Sequence, residues 1–97
     1  MRLEFSPAAE DDLEEIGDYI ALDNPATAVQ FIDTLRDQCE RLLKSPVGYV
    51  ARPEVGEGLR SCAHGRYLLF FRVEADVLRI ERILHSARDI ARAWPRE

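Results

Sequence analysis

The chain is short of the residues that several classes of protein require. Its 97 residues include only two cysteines and two histidines, too few for a disulfide framework, and neither histidine has a metal-ligating neighbour at a suitable spacing. No glycine-rich phosphate loop follows a strand. No apolar run approaches the roughly 18 residues of a transmembrane helix, and no signal-peptide pattern follows Met1. The sequence therefore predicts one domain over residues 1–97, reduced and cytoplasmic, with no membrane contact, no metal and no organic cofactor.

Lysine is almost absent, and the charge is unevenly distributed. Residues 1–48 contain eleven acidic and four basic side chains, whereas residues 49–97 contain seven acidic side chains and nine arginines. The planar guanidinium of arginine binds carboxylates and phosphates through paired hydrogen bonds. We therefore expect a binding face in the second half of the chain, although some of these arginines should instead pair with the acidic first half.

Two start signals predict a helical hairpin. Ser6-Pro7 and Asn24-Pro25 each place a capping side chain before a proline suited to the first helical turn. Apolar residues follow each signal at helical spacing: Ala9, Leu13, Ile16 and Ile20, then Ala28, Phe31, Ile32, Leu35, Cys39 and Leu42. The short connection between the two patterns makes the helices antiparallel neighbours. The acidic residues early in the first helix are interpreted as a solvated face that the helix dipole favours.

Strand patterns flank this hairpin. Residues 2–5 alternate polar and apolar, residues 45–58 predict a loop, and three strands are predicted at 59–62, 66–73 and 77–84. The alternation in the last strand breaks after Ile80, and either a bulge near residues 81–83 or burial on both faces would explain the break. Ser86 would cap a short C-terminal helix. The predicted fold is α+β: an N-terminal strand and an antiparallel helical hairpin packed on a small antiparallel sheet.

The strand at residues 66–73 is apolar on both faces. Leu68 and Phe70 lie on the face opposite the one expected to contact the helices, between Arg66 and Arg72. Because the chain has no other long element to cover this second face, the apolar patch predicts an interaction site. The alternative is that the end of the chain folds back over it.

Four stretches of the chain together resemble the ParE branch of the RelE/ParE superfamily of type II toxins. They are SPAAEDDLEEIGDYI, NPATAVQFIDTL, RPEVGEGLRSCAHGRYLLFFRV and RILHSARD, spread in order over residues 3–89. The resemblance implies a toxin that inhibits DNA gyrase by binding, without enzymatic chemistry. It also implies neutralisation by a ParD-like antitoxin of the ribbon-helix-helix type. The two would form a toxin–antitoxin hetero-oligomer that contacts DNA only through the antitoxin.

Two contact surfaces follow from the resemblance. The antitoxin would bind the apolar patch formed by Arg66, Leu68, Phe70 and Arg72. Gyrase would bind the closing segment of the chain, where charged groups supply hydrogen-bond donors and an aromatic ring supplies an anchor; these residues are Arg82, His85, Arg88 and Trp94. Arg82 is ambiguous, because it is also a candidate for an ion pair with the acidic first half.

Two alternatives to gyrase inhibition stay open. RelE-like members of the superfamily cleave mRNA on the ribosome, and such a metal-free nuclease needs cations for the phosphate and a titratable base. The residues available for that chemistry are Arg60, Arg66, Arg82, Arg88 and, as the base, His85. The C-terminal tyrosine typical of RelE-like enzymes is absent, because Tyr67 is the last tyrosine. The third possibility is a non-toxic relic that only binds an antitoxin.

Overall fold

Two helices packed on a five-stranded sheet make up the part of the chain that the computed structural model describes, residues 1–45 and 49–85. The elements, in chain order, are β1 (Arg2–Phe5), α1 (Pro7–Ala21), α2 (Pro25–Leu42), β2 (Val50–Ala51), β3 (Arg60–His64), β4 (Tyr67–Glu74) and β5 (Val77–Leu84). The strands lie in the order β1-β5-β4-β3-β2. The predicted α+β fold is therefore confirmed. The predicted C-terminal helix after Ser86 lies outside the described residues.

Both helices begin where the sequence predicts. The Ser6 hydroxyl accepts a hydrogen bond from the Ala9 amide at 2.9 Å, and the Asn24 side chain accepts one from the Thr27 amide at 3.2 Å. Each cap satisfies an amide that has no partner within its helix, and this stabilises the folded protein by ~1 kcal/mol. Ser6 also donates to the Glu81 carbonyl at 2.7 Å. The start of α1 is therefore attached to β5.

The strands predicted in the second half form an antiparallel sheet, as expected, and the N-terminal strand joins its edge in parallel, so the sheet as a whole is mixed. The pairs β2–β3, β3–β4 and β4–β5 are antiparallel, but β1 runs parallel to β5, with Phe5 opposite Ile80. Parallel neighbours need a long crossover connection, which the helical hairpin and the following strands provide. The loop predicted at residues 45–58 also contains the two-residue strand β2, which extends the sheet beside β3.

A β-bulge resolves the broken pattern of the last strand. Phe71 lies opposite Ile80 and Phe70 lies opposite Arg82, so Glu81 is the extra residue of β5. The extra residue brings Ile83 into the same buried cluster as Ile80. Of the two explanations that the sequence left open, the structure therefore shows the bulge near residues 81–83.

The main core lies between the helices and one face of the sheet. The apolar stripes of α1 and α2 contribute Leu13, Ile16, Leu35, Cys39 and Leu42, and the sheet contributes Leu69, Phe71, Leu78, Ile80 and Ile83. Burial raises the pKa of the Cys39 thiol to about 12 and also raises the pKa of Cys62. Both cysteines are free and buried, so at neutral pH they pack as uncharged, weakly polar groups.

The opposite face of the sheet is also covered, which corrects the prediction of an exposed patch at Phe70. The Phe70 side chain is fully buried and forms a second cluster with Leu59 and Leu84, against which Val55 and Leu68 pack. The segment at residues 52–59, which was predicted as a loop, folds back over the sheet and supplies part of this cover. The prediction of an interaction site at Phe70 depended on an exposed ring, and the ring is buried.

Hydrogen bonds from two arginines hold this covering segment. The Arg52 amide donates to the Leu59 carbonyl at 2.7 Å, and the Arg72 guanidinium donates to the Glu57 carbonyl. Gly58 has a φ of 73°, a conformation that glycine adopts without steric cost. Arg72, predicted to contact the antitoxin, thus holds the segment at residues 52–59 in place.

A partly buried ion pair joins α1 to β5 just beyond the end of β1. The Asp12 carboxylate accepts hydrogen bonds from the Arg82 guanidinium at 2.8 and 2.9 Å and from the Ile83 amide at 2.9 Å. The hydrogen bond to Asp12 is the main reason that the pKa of Arg82 is raised. The possibility that Arg82 pairs with the acidic first half is therefore confirmed.

We expect Phe70→Ala to lower the free energy of unfolding by ~3–5 kcal/mol, because it removes a fully buried ring and leaves a cavity. Urea denaturation monitored by circular dichroism would measure the change. Val73→Ala on the same strand is the control. Because Val73 is 36% exposed, this substitution should lower the free energy of unfolding by ~1 kcal/mol or less. Equal effects of the two substitutions would contradict the burial of Phe70.

We expect Asp12→Asn to lower the free energy of unfolding by ~2–4 kcal/mol, because it weakens three hydrogen bonds and leaves a partly buried guanidinium without its counter-charge. The estimate lies below that for a fully buried pair, since the Arg82 side chain is 28% exposed. Asp11→Asn, the same change on the exposed neighbouring residue, should be nearly neutral. A double-mutant cycle with Arg82→Leu would show no coupling energy if the pair did not contribute.

Candidate partner-binding cleft

A cleft of about 930 Å³ opens where α1, α2, the β3–β4 turn and the end of β5 meet. Its lining consists of Asp12, Glu15, Ile16, Tyr19, Ile20, Phe31, Gly65, Arg66, Tyr67, Arg82, Ile83, Leu84 and His85. The helical hairpin forms one wall, and the ends of β4 and β5 form the other. The cleft therefore contains three of the residues that the sequence predicts for binding or catalysis.

Aromatic rings follow one another along this region. The ring centroids of Phe31 and Tyr67 lie 5.5 Å apart, and those of Tyr67 and His85 lie 5.1 Å apart. Phe31 also contacts His64, with 5.7 Å between centroids. These tilted contacts lie within the range favoured by aromatic pairs. They connect α2 to the ends of the strands and give the cleft a firm apolar wall.

His64 supports this wall as a neutral donor. Its Nε2 atom lies 3.2 Å from the Thr34 hydroxyl, which itself donates to the Phe31 carbonyl at 2.8 Å. Because the hydroxyl proton is directed to the carbonyl, the His64 Nε2–H group must be the donor to Thr34. Burial, and then the charge of Arg41, lower the pKa of His64. The uncharged ring therefore has a structural role beside the cleft.

The two walls of the cleft carry opposite charges. Glu15 on α1 and Arg66 before β4 are both exposed, and His85 at the end of β5 is exposed as well. Asp12 and Arg82 also line the cleft, but they are bound to each other. The charges best placed to meet a partner are therefore Glu15 on the helical wall and Arg66 on the sheet wall, with the His85 ring beside Arg66 in the lining.

The structure separates the predicted site residues into distinct groups. Arg66, Arg82 and His85 come together at the cleft. Arg60 lies outside the cleft lining, and its guanidinium donates to the Tyr49 carbonyl at 3.0 Å. Leu68, Phe70 and Arg72 belong to the opposite face of the sheet or to its covering segment. Arg88 and Trp94 lie outside the described residues. The nuclease set is therefore divided between at least two places.

Sequence reasoning missed the helical side of the cleft. Ile20 and Phe31 appeared in the apolar stripes as core residues, and Glu15 appeared as part of a solvated face. All three line the cleft, because the stripes near the hairpin turn extend past the main core. The signal available in the sequence was Tyr19, an aromatic residue beside the first stripe, which is 72% exposed.

The described residues contain neither a metal-binding cluster nor a helix suited to crossing a membrane. Within residues 1–45 and 49–85, no group of three or more His, Cys, Asp and Glu side chains could hold a metal ion. In the same part of the chain, neither helix combines the length and the apolar composition needed to cross a membrane. The cleft is therefore the feature of the described structure that we consider for function.

Comparison with known proteins agrees with the resemblance seen in the sequence. Residues 3–90 match the model of a family described as "ParE toxin of type II toxin-antitoxin system, parDE". A similar solved structure is titled "Chromosomal ParDE TA system from P. aeruginosa". Its chain is 26% identical, the match covers 88% of this chain and 95% of that chain, and the TM-score is 0.76. A comparison with curated proteins gives no match. Since the family model spans most of the sequence and the fold agrees with it, the chain belongs to the ParE toxin family of type II toxin–antitoxin systems.

Proposed function

We propose that this protein inhibits DNA gyrase by binding it and that direct contact with a ParD-like antitoxin neutralises it. The observation that carries the proposal is membership of the ParE toxin family over residues 3–90. Gyrase inhibition is what the sequence resemblance implies for this branch of the superfamily. A gyrase inhibitor acts where gyrase and the chromosome are, so we place the activity in the cytoplasm.

The antitoxin is the second part of the proposal. The similar solved structure is titled as a ParDE toxin–antitoxin system, which supports a partner of the same kind for this chain. We propose that the partner is a ribbon-helix-helix protein and that the two form a hetero-oligomer. DNA would then be contacted by the antitoxin alone.

The contacts that Arg82 and Arg60 make favour a role in protein binding over a role in catalysis. A metal-free ribonuclease needs cations aimed at the phosphate and groups that transfer protons. The Nε and Nη2 atoms of Arg82 already donate to Asp12, and Arg60 donates to a backbone carbonyl away from the cleft. Glu15 on the facing wall would repel a phosphate. This arrangement does not concentrate positive charge in the cleft, and it supports a role in protein recognition.

One observation favours the nuclease as a second candidate. His85 is exposed at the cleft beside Tyr67, with 5.1 Å between ring centroids, and Arg66 lines the same cleft. A histidine in this position is accessible to a substrate, and histidine is the side chain that most often serves as a general base. Of the residues predicted for a ribonuclease, His85 as the base and Arg66 as the nearby cation are therefore the two that the cleft offers for this alternative.

We propose that gyrase docks on the end of the chain, as the sequence predicts, but without a direct contact from Arg82. Arg82 holds β5 against α1, so its contribution to docking is to fix the position of His85. The proposed docking groups are then His85, Arg88 and Trp94, of which Arg88 and Trp94 lie outside the described residues. For Arg88, a charged contact at a buried interface is typically worth ~2–5 kcal/mol when one partner is removed.

The proposed function predicts inhibited supercoiling and intact RNA. Purified protein freed of antitoxin should inhibit supercoiling by purified gyrase, and it should leave mRNA uncut in a translating ribosome assay. Arg88→Glu should raise the concentration for half-maximal inhibition by ~10-fold or more. Arg96→Glu, the same charge change beyond the matched residues 3–90, is the control and should have little effect.

His85→Ala separates the two candidate functions. A gyrase inhibitor should lose only a few-fold in potency, whereas a nuclease that used His85 as its base should lose ~10²–10⁴-fold in rate. The control is His64→Ala, which removes the other histidine, and melting curves of both variants should accompany the assays. Cut mRNA with normal supercoiling would replace the gyrase proposal by the nuclease. Absence of both effects in folded protein would indicate a non-toxic relic.

A further inference from the structure

We propose that residues 86–97 of the chain bind back into the cleft of the free protein and hold Trp94 there, away from gyrase. The contact between these two parts of the chain does not depend on the proposed function. Its consequence for gyrase does, because Trp94 is one of the proposed docking groups. The sequence suggests the outer face of the sheet for such a return, but residues 52–59 already pack on that face around Phe70.

Residues 86–97 lie outside the described part of the structure, and their sequence has the pattern of a short amphipathic helix. Ser86 suits the N-cap position, and Pro95 limits the helix because proline disfavours helical backbone at the residue before it. The apolar residues between them share one face of such a helix; they are Ala87, Ile90, Ala91 and Trp94. Arg88 lies on a flank of that face. A helix of this kind is stable when its apolar face packs against another element.

The cleft is the apolar surface at which this segment begins. His85, the residue before the segment, lines the cleft at the end of β5. A helix over residues 87–94 would be about 12 Å long, at ~1.5 Å per residue. The cleft volume of about 930 Å³ has room for more than one large side chain. Half-buried apolar side chains in its lining are available to pack on the indole ring: Ile20, Phe31 and Tyr67.

The charge of the α1 wall favours a cation from the occupant. The hydrogen bond to Asp12 is the main cause of the raised pKa of Arg82, and the negative charges of Glu15 and Asp11 contribute as well. Arg82 therefore faces an excess of negative charge. Of the described lining residues that the two helices contribute, none is basic. Arg88, near the start of the segment, would supply the missing cation beside Glu15.

Two other occupants are less consistent with these features or are distinguished by experiment. Nucleic acid would bring phosphates to the acidic wall at Asp12 and Glu15. A second copy of the chain could supply the same segment by exchange, as in domain swapping. The exchanged arrangement depends on protein concentration, whereas a contact within one chain does not.

The tryptophan makes the contact measurable, because Trp94 is the only one in the sequence. In purified protein without antitoxin, its emission should lie at shorter wavelength than in the isolated peptide of residues 86–97, and acrylamide should quench it less. Glu15→Lys should weaken the contact by ~10-fold or more and shift the emission toward that of the peptide. Glu14→Lys is the control and should leave the emission unchanged, because Glu14 is exposed on α1 but does not line the cleft.

Exchange of the two charges separates the contact from a general loss of structure. Arg88→Glu alone should release Trp94, and Arg88→Glu combined with Glu15→Lys should restore the emission of the wild-type protein. Equal emission of the wild-type protein and the peptide would overturn the inference, and so would equal effects of Glu15→Lys and Glu14→Lys. Emission that changes with protein concentration would assign the cleft to a second copy instead.

A crosslink identifies the occupant directly. A photoreactive p-benzoylphenylalanine at position 19 should crosslink to residues 86–97 of the same chain, because Tyr19 lines the cleft and is 72% exposed. The same group at position 50, where Val50 is 61% exposed on the sheet edge, should not. Mass spectrometry of mixed isotope-labelled and unlabelled protein distinguishes one chain from two. Crosslinks from position 19 that miss residues 86–97, or that join two copies, contradict the inference.

Release of Trp94 should make the protein a stronger inhibitor of gyrase. If only the open form presents Trp94, the apparent affinity for gyrase is reduced by the fraction of protein that is closed. Glu15→Lys should therefore inhibit supercoiling at a concentration up to ~10-fold lower than the wild-type protein, and Glu14→Lys at the wild-type concentration. Unchanged inhibition by a variant whose emission shows release would overturn the withholding of Trp94 from gyrase.

Failure of this inference and failure of the proposed function are distinguishable. If neither the wild-type protein nor Glu15→Lys inhibits gyrase, the proposed function fails. The emission of Trp94 is measured on the protein alone, so it still decides whether residues 86–97 bind the cleft. If gyrase is inhibited but the emission of the wild-type protein equals that of the peptide, the proposed function stands and the contact with the cleft is wrong.

Discussion

The Asp12 carboxylate is the group on which the arrangement of this protein depends. β1 stops pairing at Phe5, and the bulge at Glu81 interrupts the ladder of β5 shortly afterwards. Backbone groups at such a place need partners, because an unpaired buried amide or carbonyl is costly. Asp12 binds the Ile83 amide and the Arg82 guanidinium, and Ser6 donates to the Glu81 carbonyl. The first turns of α1 therefore replace the strand that β5 lacks there.

This attachment also determines the geometry of the cleft. α1 is held against β5 at Asp12, so Glu15 and Tyr19, one and two turns later, face the end of the same strand across the cleft. His85 follows directly after β5 and contacts Tyr67. The bonds to Asp12 add to the Ser6 hydrogen bond and the shared core in holding the two walls together. The ion pair is a structural element, and its functional effect is to position the residues around it.

Four arginines of residues 49–85 help to hold the described part of the chain together. Arg82 and Arg79 bind carboxylates of the acidic first half, Asp12 and Glu4 respectively, while Arg52 donates to the Ser61 hydroxyl at 2.7 Å. Arg72 fixes the segment that covers the outer face of the sheet. Composition suggested an arginine-rich binding face, but these side chains have internal partners. The charge asymmetry between the two halves is thus explained in part by their attraction to each other.

The sequence by itself determined the features that depend on neighbouring residues. Both helix starts at Ser6 and Asn24 and the apolar stripes leave local signals, because caps and periodicity act over a few residues. The break in alternation after Ile80 was also visible, but only the strand register showed that it is a bulge. Tertiary structure alone decided the parallel pairing of β1, the burial of Phe70, the choice of Asp12 as partner of Arg82 and the cleft at the hairpin. The physical reason is that alternation shows which faces of a strand are apolar but not which strand lies beside it or which segment covers it. Asp12 and Arg82 are seventy residues apart, and their contact depends on how the whole sheet is assembled.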